Sequence, residues 1–281
     1  MGNCQSCPSR NNCSKQATCT IENNPNNKIK NIIGIMSGKG GVGKSTMTTL
    51  IAKKLNKLGY KVGILDADIT GPSIPRLMGV EKERATSSDG VNINPVISKE
   101  NIKTISLNFL IEEESSPVVW KGPMISKAVK QFYKDVMWEE LDYLLIDMPP
   151  GTGDVALTVM QSIPLTGVVM VSIPQDMISM IVTKAVKMAQ MLNVNVLGVV
   201  ENMSYIKCPD CDKKIKLFEG DDTDKFFSEM NLELLGELPM TREIIDVTHK
   251  GVDNMSDEID GILNGIVEKM NEQIVEKNRD L

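Results

Sequence analysis

One run, Gly38-Lys39-Gly40-Gly41-Val42-Gly43-Lys44-Ser45, restricts what this chain can fold into more than any other segment. It has the spacing GxxxxGK[ST], it follows the apolar stretch Ile32 to Met36, and it precedes Thr46 to Leu58, whose apolar positions repeat with a helical period. A strand, a glycine-rich turn and a helix in that order make a cradle for phosphate. The glycines let backbone N–H groups turn onto phosphate oxygens, and the helix N-terminus adds a favourable dipole. Gly38, Gly40, Gly41, Val42, Gly43, Lys44, Ser45 and Thr46 are therefore the expected nucleotide contacts. Lys44 should reach the β- and γ-phosphates of ATP and Ser45 Oγ should reach Mg²⁺.

The rest of the chain alternates in the same manner. Strands are expected at Lys61 to Leu65, at two short places within 91–109, and at Tyr143 to Ile146, Gly167 to Ile173, Val194 to Val200 and Leu232 to Leu238. Helices are expected at Lys121 to Trp138 and over 176–191, with Gly59 closing the first helix. Apolar strands separated by amphipathic helices give a doubly wound, mostly parallel α/β sheet covered on both faces. The segment Ile259 to Val275 carries one apolar face, and its polar face mixes Glu268 and Glu272 with Lys269. Interfacial membrane helices carry a basic polar face, so this helix is expected to pack on the domain.

Two strand ends bring acid to the phosphate loop. Asp147 closes the run Tyr143 to Ile146, the position of a carboxylate near Mg²⁺. Asp66 and Asp68 follow the second strand at the carboxyl edge, where open α/β sheets bind ligands. Ser45, Asp66 and Asp147 are the candidate Mg²⁺ residues. Past Asp147, the glycine-rich loop can bring the Gly151 N–H to a γ-phosphate and change shape when that phosphate leaves.

The chain of 281 residues carries a net charge of −6 and has no long basic run, which argues against nonspecific nucleic-acid or anionic-membrane binding. No stretch approaches the roughly 18 apolar residues of a membrane span. A cytoplasmic setting is expected, in which cysteines stay reduced and act as metal ligands or redox groups. The 18 methionines are expected to fill core space. The single histidine, His249, has no ligand spacing around it and is expected at a helix surface or end.

All six cysteines fall in two clusters. Cys208 and Cys211 form one CxxC, which supplies two ligands where tetrahedral zinc or an iron–sulfur cluster needs four. Two copies of the chain related by a two-fold would supply all four. Zinc, an iron–sulfur cluster and a redox pair are all chemically open to it. Cys4, Cys7, Cys13 and Cys19 make a second set of four thiols, suited to a [4Fe–4S] cluster or to zinc, or left as an unfilled tail. The expected organisation is a Cys-rich metal-binding segment over 1–20, an Asn-rich linker over 21–30 and one nucleotide-binding domain over 31–281.

GKGGVGKST resembles the deviant Walker-A class, which includes MinD, ParA, arsenite-pump ATPases, nitrogenase iron protein and the Mrp/ApbC-type iron–sulfur carriers. That resemblance implies that Lys39 reaches into a partner subunit's phosphate site, and so implies an ATP-linked homodimer. The segments 65–75 (LDADITGPSIP), 121–124 (KGPM), 147–154 (DMPPGTGD), 201–204 (ENMS) with 208–211 (CPDC), and 235–239 (LGELP) resemble the Mrp/ApbC branch. The branch implies that Asp68 positions the attacking water, that Asn202 contacts adenine, and that Cys208 and Cys211 bridge a [4Fe–4S] cluster across the dimer. It implies apo iron–sulfur proteins as partners. Cys4, Cys7 and Cys13 resemble the last three ligands of an N-terminal cluster motif in eukaryotic relatives; that motif's fourth ligand lies upstream, and here Cys19, downstream, is the candidate. The function expected is an ATPase, slow in turnover, that carries a [4Fe–4S] cluster to apo-proteins. A MinD/ParA-type positioning ATPase leaves the CPDC segment unexplained, a reductase like nitrogenase iron protein uses single cysteines, and a zinc-stapled ATPase scaffold is separated by metal analysis.

Overall fold

The structure, a computed structural model, describes residues 21–279 except 70, 72, 112–121, 175–179, 209, 212, 217–222, 245 and 247–254. Cys4, Cys7, Cys13, Cys19, Lys121 and His249 lie outside the described residues.

Nine strands are described: β1 (Lys28–Ser37), β2 (Val62–Asp66), β3 (Val96–Ile97), β4 (Lys103–Ile105), β5 (Glu140–Asp147), β6 (Gly167–Ser172), β7 (Val196–Lys207), β8 (Lys214–Ile215) and β9 (Leu234–Pro239). They form one sheet in the order β3-β4-β2-β5-β1-β6-β7-β8, with β9 also paired to β7. All pairings are parallel except β3 with β4 and β8 with β7, so the fold is the doubly wound α/β arrangement expected. β1 sits between β5 and β6, with Ile35 opposite Asp147 and Met36 opposite Met170. The loop leaving β1 therefore opens where strand order reverses, the place at which such sheets bind ligands.

The strands are continuous apolar runs because helices cover both faces. β2 and β6 are buried throughout. Met36, Met47, Met148, Met170 and Met270 are wholly buried, so methionine does fill the core. The helices are α1 (Lys44–Lys57), α2 (Ile74–Leu77), α3 (Gly122–Asp135), α4 (Asp154–Ser162), α5 (Met180–Met191), α6 (Thr223–Met230) and α7 (Asp257–Arg279). Gly59, at φ +91, ends α1: its N–H donates to Asn56 O and the Tyr60 N–H to Leu55 O, the paired bonds of a Schellman cap. α7 buries Ile259, Leu263, Ile266, Val267, Met270 and Ile274, and packs on α1, β7 and β9. Asp260 ties it to α1 through Lys54 Nζ at 2.9 Å and Lys57 Nζ at 3.1 Å. No described helix is long and apolar enough to cross a membrane.

Several boundaries differ from the sequence reading for physical reasons. The helix expected to reach Trp138 stops at Asp135. Trp138 is wholly buried, donates from Nε1 to Phe132 O, and packs so close to Gly63 that a Cβ there would lie 2.9 Å from its ring. β7 runs beyond Val200 to Lys207, through polar residues whose side chains bond one another. The Asn-rich stretch read as a linker is held against the domain from Ile21, whose N–H donates to Ser162 O. The Asn27 side chain donates to Val136 O at 2.9 Å and accepts from the Glu139 N–H at 2.8 Å, replacing a strand partner for the turn before β5. Both bonds are largely buried, so Asn27→Ala strands two backbone groups. It should cost about 2–3 kcal/mol in urea-induced unfolding; a change below roughly 0.5 kcal/mol, the size of an ordinary surface substitution, would show that this segment only rests on the domain.

Candidate functional site

The phosphate loop joins β1 to α1. Gly41 and Gly43 have φ values of +82 and +84, a region that costs any residue with a Cβ about 1–2 kcal/mol. With Ser45, Asp68, Gly71 and Pro150 the loop encloses a cavity of about 350 Å³. Lys39 stands exposed at its rim and Thr46 lines it, while Val42 is buried beneath. Gly38 and Gly40 also carry the chain around the turn.

Beneath the loop lies a buried ionic cluster. Lys44 is 6% exposed and Asp147 wholly buried, and Lys44 Nζ sits 2.7 Å from Asp147 Oδ1. Ser45 Oγ donates to the other carboxylate oxygen at 2.6 Å. Asp68 Oδ2 is 3.7 Å from Lys44 Nζ. Asp66, at the end of β2 and level with Asp147 on β5, accepts from Ser106 Oγ at 3.0 Å and from the Asp68 N–H at 3.1 Å. Burial, and then the Asp147 charge, push the Asp66 carboxyl well above its usual range, against the opposing pull of Lys44. Three carboxyls around one lysine crowd negative charge, an excess relieved in part by driving Asp66 toward its neutral form. A divalent cation matches that excess, and a serine hydroxyl beside a carboxylate is the hard-oxygen donor set that Mg²⁺ takes together with phosphate and water.

Two residues expected to meet nucleotide have other partners here. The Gly151 N–H, at φ +79, donates to Ser37 O at 2.8 Å. Asn202 Nδ2 donates to Val42 O at 2.9 Å, and a Cβ on Gly43 would stand 2.3 Å from that nitrogen. Asn202 is buried on β7, beside Met203 at φ +53 where the β7–β9 register shifts. Its neighbours Glu201 and, across on β9, Glu237 share the Ser204 hydroxyl at 3.0 and 2.9 Å. Burial raises the Glu201 carboxyl, and the adjoining Glu237 raises it further, against the hydrogen bond from Ser204.

The same strand leads to the cysteines. β7 and β8 form a hairpin, Ile206 opposite Ile215 and Lys207 opposite Lys214, with Cys208 and Cys211 in its loop. The Cys208 N–H donates to Lys213 O at 3.0 Å. Cys211 is exposed and Cys208 half-buried. Backbone N–H groups of Asp210 and Cys211 hold the Cys208 thiol below its usual pKa, which favours the thiolate that binds metal. Among the described residues no group of three or more His, Cys, Asp or Glu is arranged to hold a metal ion.

A family model described as "ParA: NUBPL iron-transfer P-loop NTPase" matches residues 28–275. The chain belongs to this family. An iron–sulfur cluster carrier protein of Clostridium perfringens is 49% identical over 266 residues, covering 89% of this chain and 93% of the relative. The protein of that name from Methanocaldococcus jannaschii is 43% identical, covering 96% of this chain and 97% of its own. Among solved structures, a nucleotide-binding protein of Archaeoglobus fulgidus in complex with ADP superposes with a TM-score of 0.69 at 40% identity, covering 85% of this chain and 88% of that one. The cell-division ATPase MinD of Pyrococcus furiosus superposes at 0.60 with 20% identity, covering 86% and 98%. At that identity the likeness is of fold alone. Membership in the iron-transfer P-loop NTPases makes the chain a nucleotide-binding protein, whose loop, lysine and strand-end acids meet at one cavity.

Thr48 and Ser106, whose hydroxyls bond Asp147 and Asp66, were not picked out from the sequence. Thr48 carried a usable signal, since it follows Lys44 by one helical turn and shares its face. Ser106 carried none, because only the β2–β4 pairing brings it to Asp66. The contact between the loop and β7 has its own consequence. Gly43→Ala forces a Cβ into a left-handed position and against Asn202. Affinity for a fluorescent ATP analogue should fall about 5- to 30-fold, the equivalent of the roughly 1–2 kcal/mol strain; an unchanged Kd would show that the loop relaxes without cost.

Proposed function

We propose that this chain is an ATP-dependent carrier that holds a [4Fe–4S] cluster as cargo between two copies of itself and hands it to apo iron–sulfur proteins. The observation that carries this reading is the position of the CPDC hairpin. Two thiols, one exposed and one primed by backbone N–H groups, stand at the end of the strand whose Asn202 grips the phosphate loop. Two thiols make half a ligand set, and a two-fold completes it. A cluster bound so near the surface can be passed on by ligand exchange with an acceptor's thiolates, in the reducing conditions of a cytosol.

The chain's own groups divide the nucleotide work as follows. The loop N–H groups from Gly38 to Thr46 and the Lys44 ammonium bind phosphate oxygens, which draws Lys44 away from Asp147. Ser45 Oγ, with Asp147 and Asp66 behind it, holds Mg²⁺, whose role is to neutralise charge on the phosphates. Asp68 orients the attacking water. Lys39, exposed at the rim, reaches the phosphates of a second copy in this reading. The Gly151 N–H exchanges Ser37 O for the γ-phosphate, and Asn202 exchanges Val42 O for adenine. Because Asn202 belongs to β7, that second exchange acts on the strand that carries Cys208. Cys4, Cys7, Cys13 and Cys19 form a separate cluster site in this reading.

The test uses a chain in which those four N-terminal cysteines are alanine, reconstituted anaerobically with iron and sulfide. It should gain broad visible thiolate-to-iron absorption, with about two irons and two sulfides per chain, half a [4Fe–4S] cluster. Adding Cys208→Ala and Cys211→Ala should abolish both. Stoichiometric zinc with no iron or sulfide after reconstitution would contradict the carrier reading and leave a zinc-stapled ATPase.

A further inference from the structure

The site above leaves one buried hydroxyl unexplained. Thr48 is wholly buried, and its Oγ1 lies 2.8 Å from Asp147 Oδ1 and 3.1 Å from Lys44 O. The hydroxyl has one proton to give, and the carboxylate is the stronger acceptor. Among the described residues, Asp147 Oδ1 therefore takes two donors, Thr48 Oγ1 and Lys44 Nζ, while Oδ2 takes Ser45 Oγ. The next residue on α1 makes the contrast. Thr49 is equally buried, and its hydroxyl has no hydrogen-bond partner among the described residues. Of two adjacent buried threonines, only one spends its hydroxyl on the carboxylate.

We propose that Thr48 is a positioning residue for the Mg²⁺ site, acting through Asp147. The inference rests on the reading of the cavity as an Mg²⁺–ATP site. When Lys44 turns to phosphate, Oδ1 loses its ammonium in a place no bulk water reaches. The Thr48 hydroxyl then remains as its fixed donor. It holds the plane of the carboxylate so that Oδ2 stays aimed at Ser45 and the metal, as outer partners of metal ligands do elsewhere. Thr48 thus belongs to the metal site without touching metal, phosphate or water.

The experiment titrates Mg²⁺ against the full-length protein with a fluorescent ATP analogue, and measures the same affinity in EDTA. Thr48→Val keeps the shape and removes the hydroxyl; Thr48→Ala stands in should valine not be accommodated. Either should leave affinity in EDTA near that of the parent and raise the Mg²⁺ midpoint roughly 10–100-fold. Thr48→Ser should restore the midpoint, and Thr49→Val, the matched change one residue on, should not move it. A parental midpoint in Thr48→Val and Thr48→Ala, or an equal shift in Thr49→Val, overturns the proposal. Asp147→Asn separates the two levels of the argument. If it shifts the midpoint while Thr48→Val does not, only the role of Thr48 fails. If it too leaves the midpoint unmoved, the Mg²⁺ reading of the site falls, and this inference with it.

Discussion

The ion pair between Lys44 and Asp147 is the interaction around which the nucleotide half of the molecule is organised. A charge taken wholly out of water is tolerable only where partners and hydrogen bonds replace the solvent. Asp147 receives an ammonium and two hydroxyls, and all three donors come from the first turns of one helix. That arrangement holds only if β5 runs beside β1 in one register, because Ile35 opposite Asp147 sets how far the loop stands from the acid. The pairing of the central strands and the chemistry of the loop are thus one constraint. Asp68 adds a second carboxylate beside the lysine, and burial with this crowding of negative charge drives Asp66 toward its neutral form, an environment that suits a divalent cation.

Much of this was legible in the sequence, and the reasons differ from place to place. The loop could be read because glycine at two left-handed positions, a lysine and a serine have few other uses at that spacing. The parallel core could be read because strands covered on both faces must be apolar throughout. The last helix could be read from its single apolar stripe and the absence of a basic face, and that stripe is buried against the sheet.

What was not legible depends on long-range pairing. The Asn-rich stretch looks like spacer, yet Asn24 and Asn27 meet residues more than a hundred positions away or across the β3 approach. Glu201, Asn202 and Ser204 interrupt the apolar pattern of β7, and the strand continues because Asn202 and Ser204 find partners on other elements while Glu201 bonds Ser204. Helix α4 was not foreseen; it starts at Asp154, directly after the glycine-rich loop, which masks its short apolar pattern. Ser106 reaches Asp66 only through the neighbouring strand. In each case the local sequence is ordinary and the tertiary partner supplies the meaning.

β7 links the two halves of the account: one stretch of it touches the phosphate loop and its end carries the cysteine hairpin. The most direct measurement is the rate at which a reconstituted cluster passes from this protein to an apo [4Fe–4S] acceptor, followed by the acceptor's recovered activity, with Mg²⁺–ATP and with no nucleotide. The account predicts different rates, and predicts that the difference disappears in Lys44→Ala. Identical rates in the two conditions would contradict it, and would mean that the nucleotide cavity and the cysteine hairpin work independently.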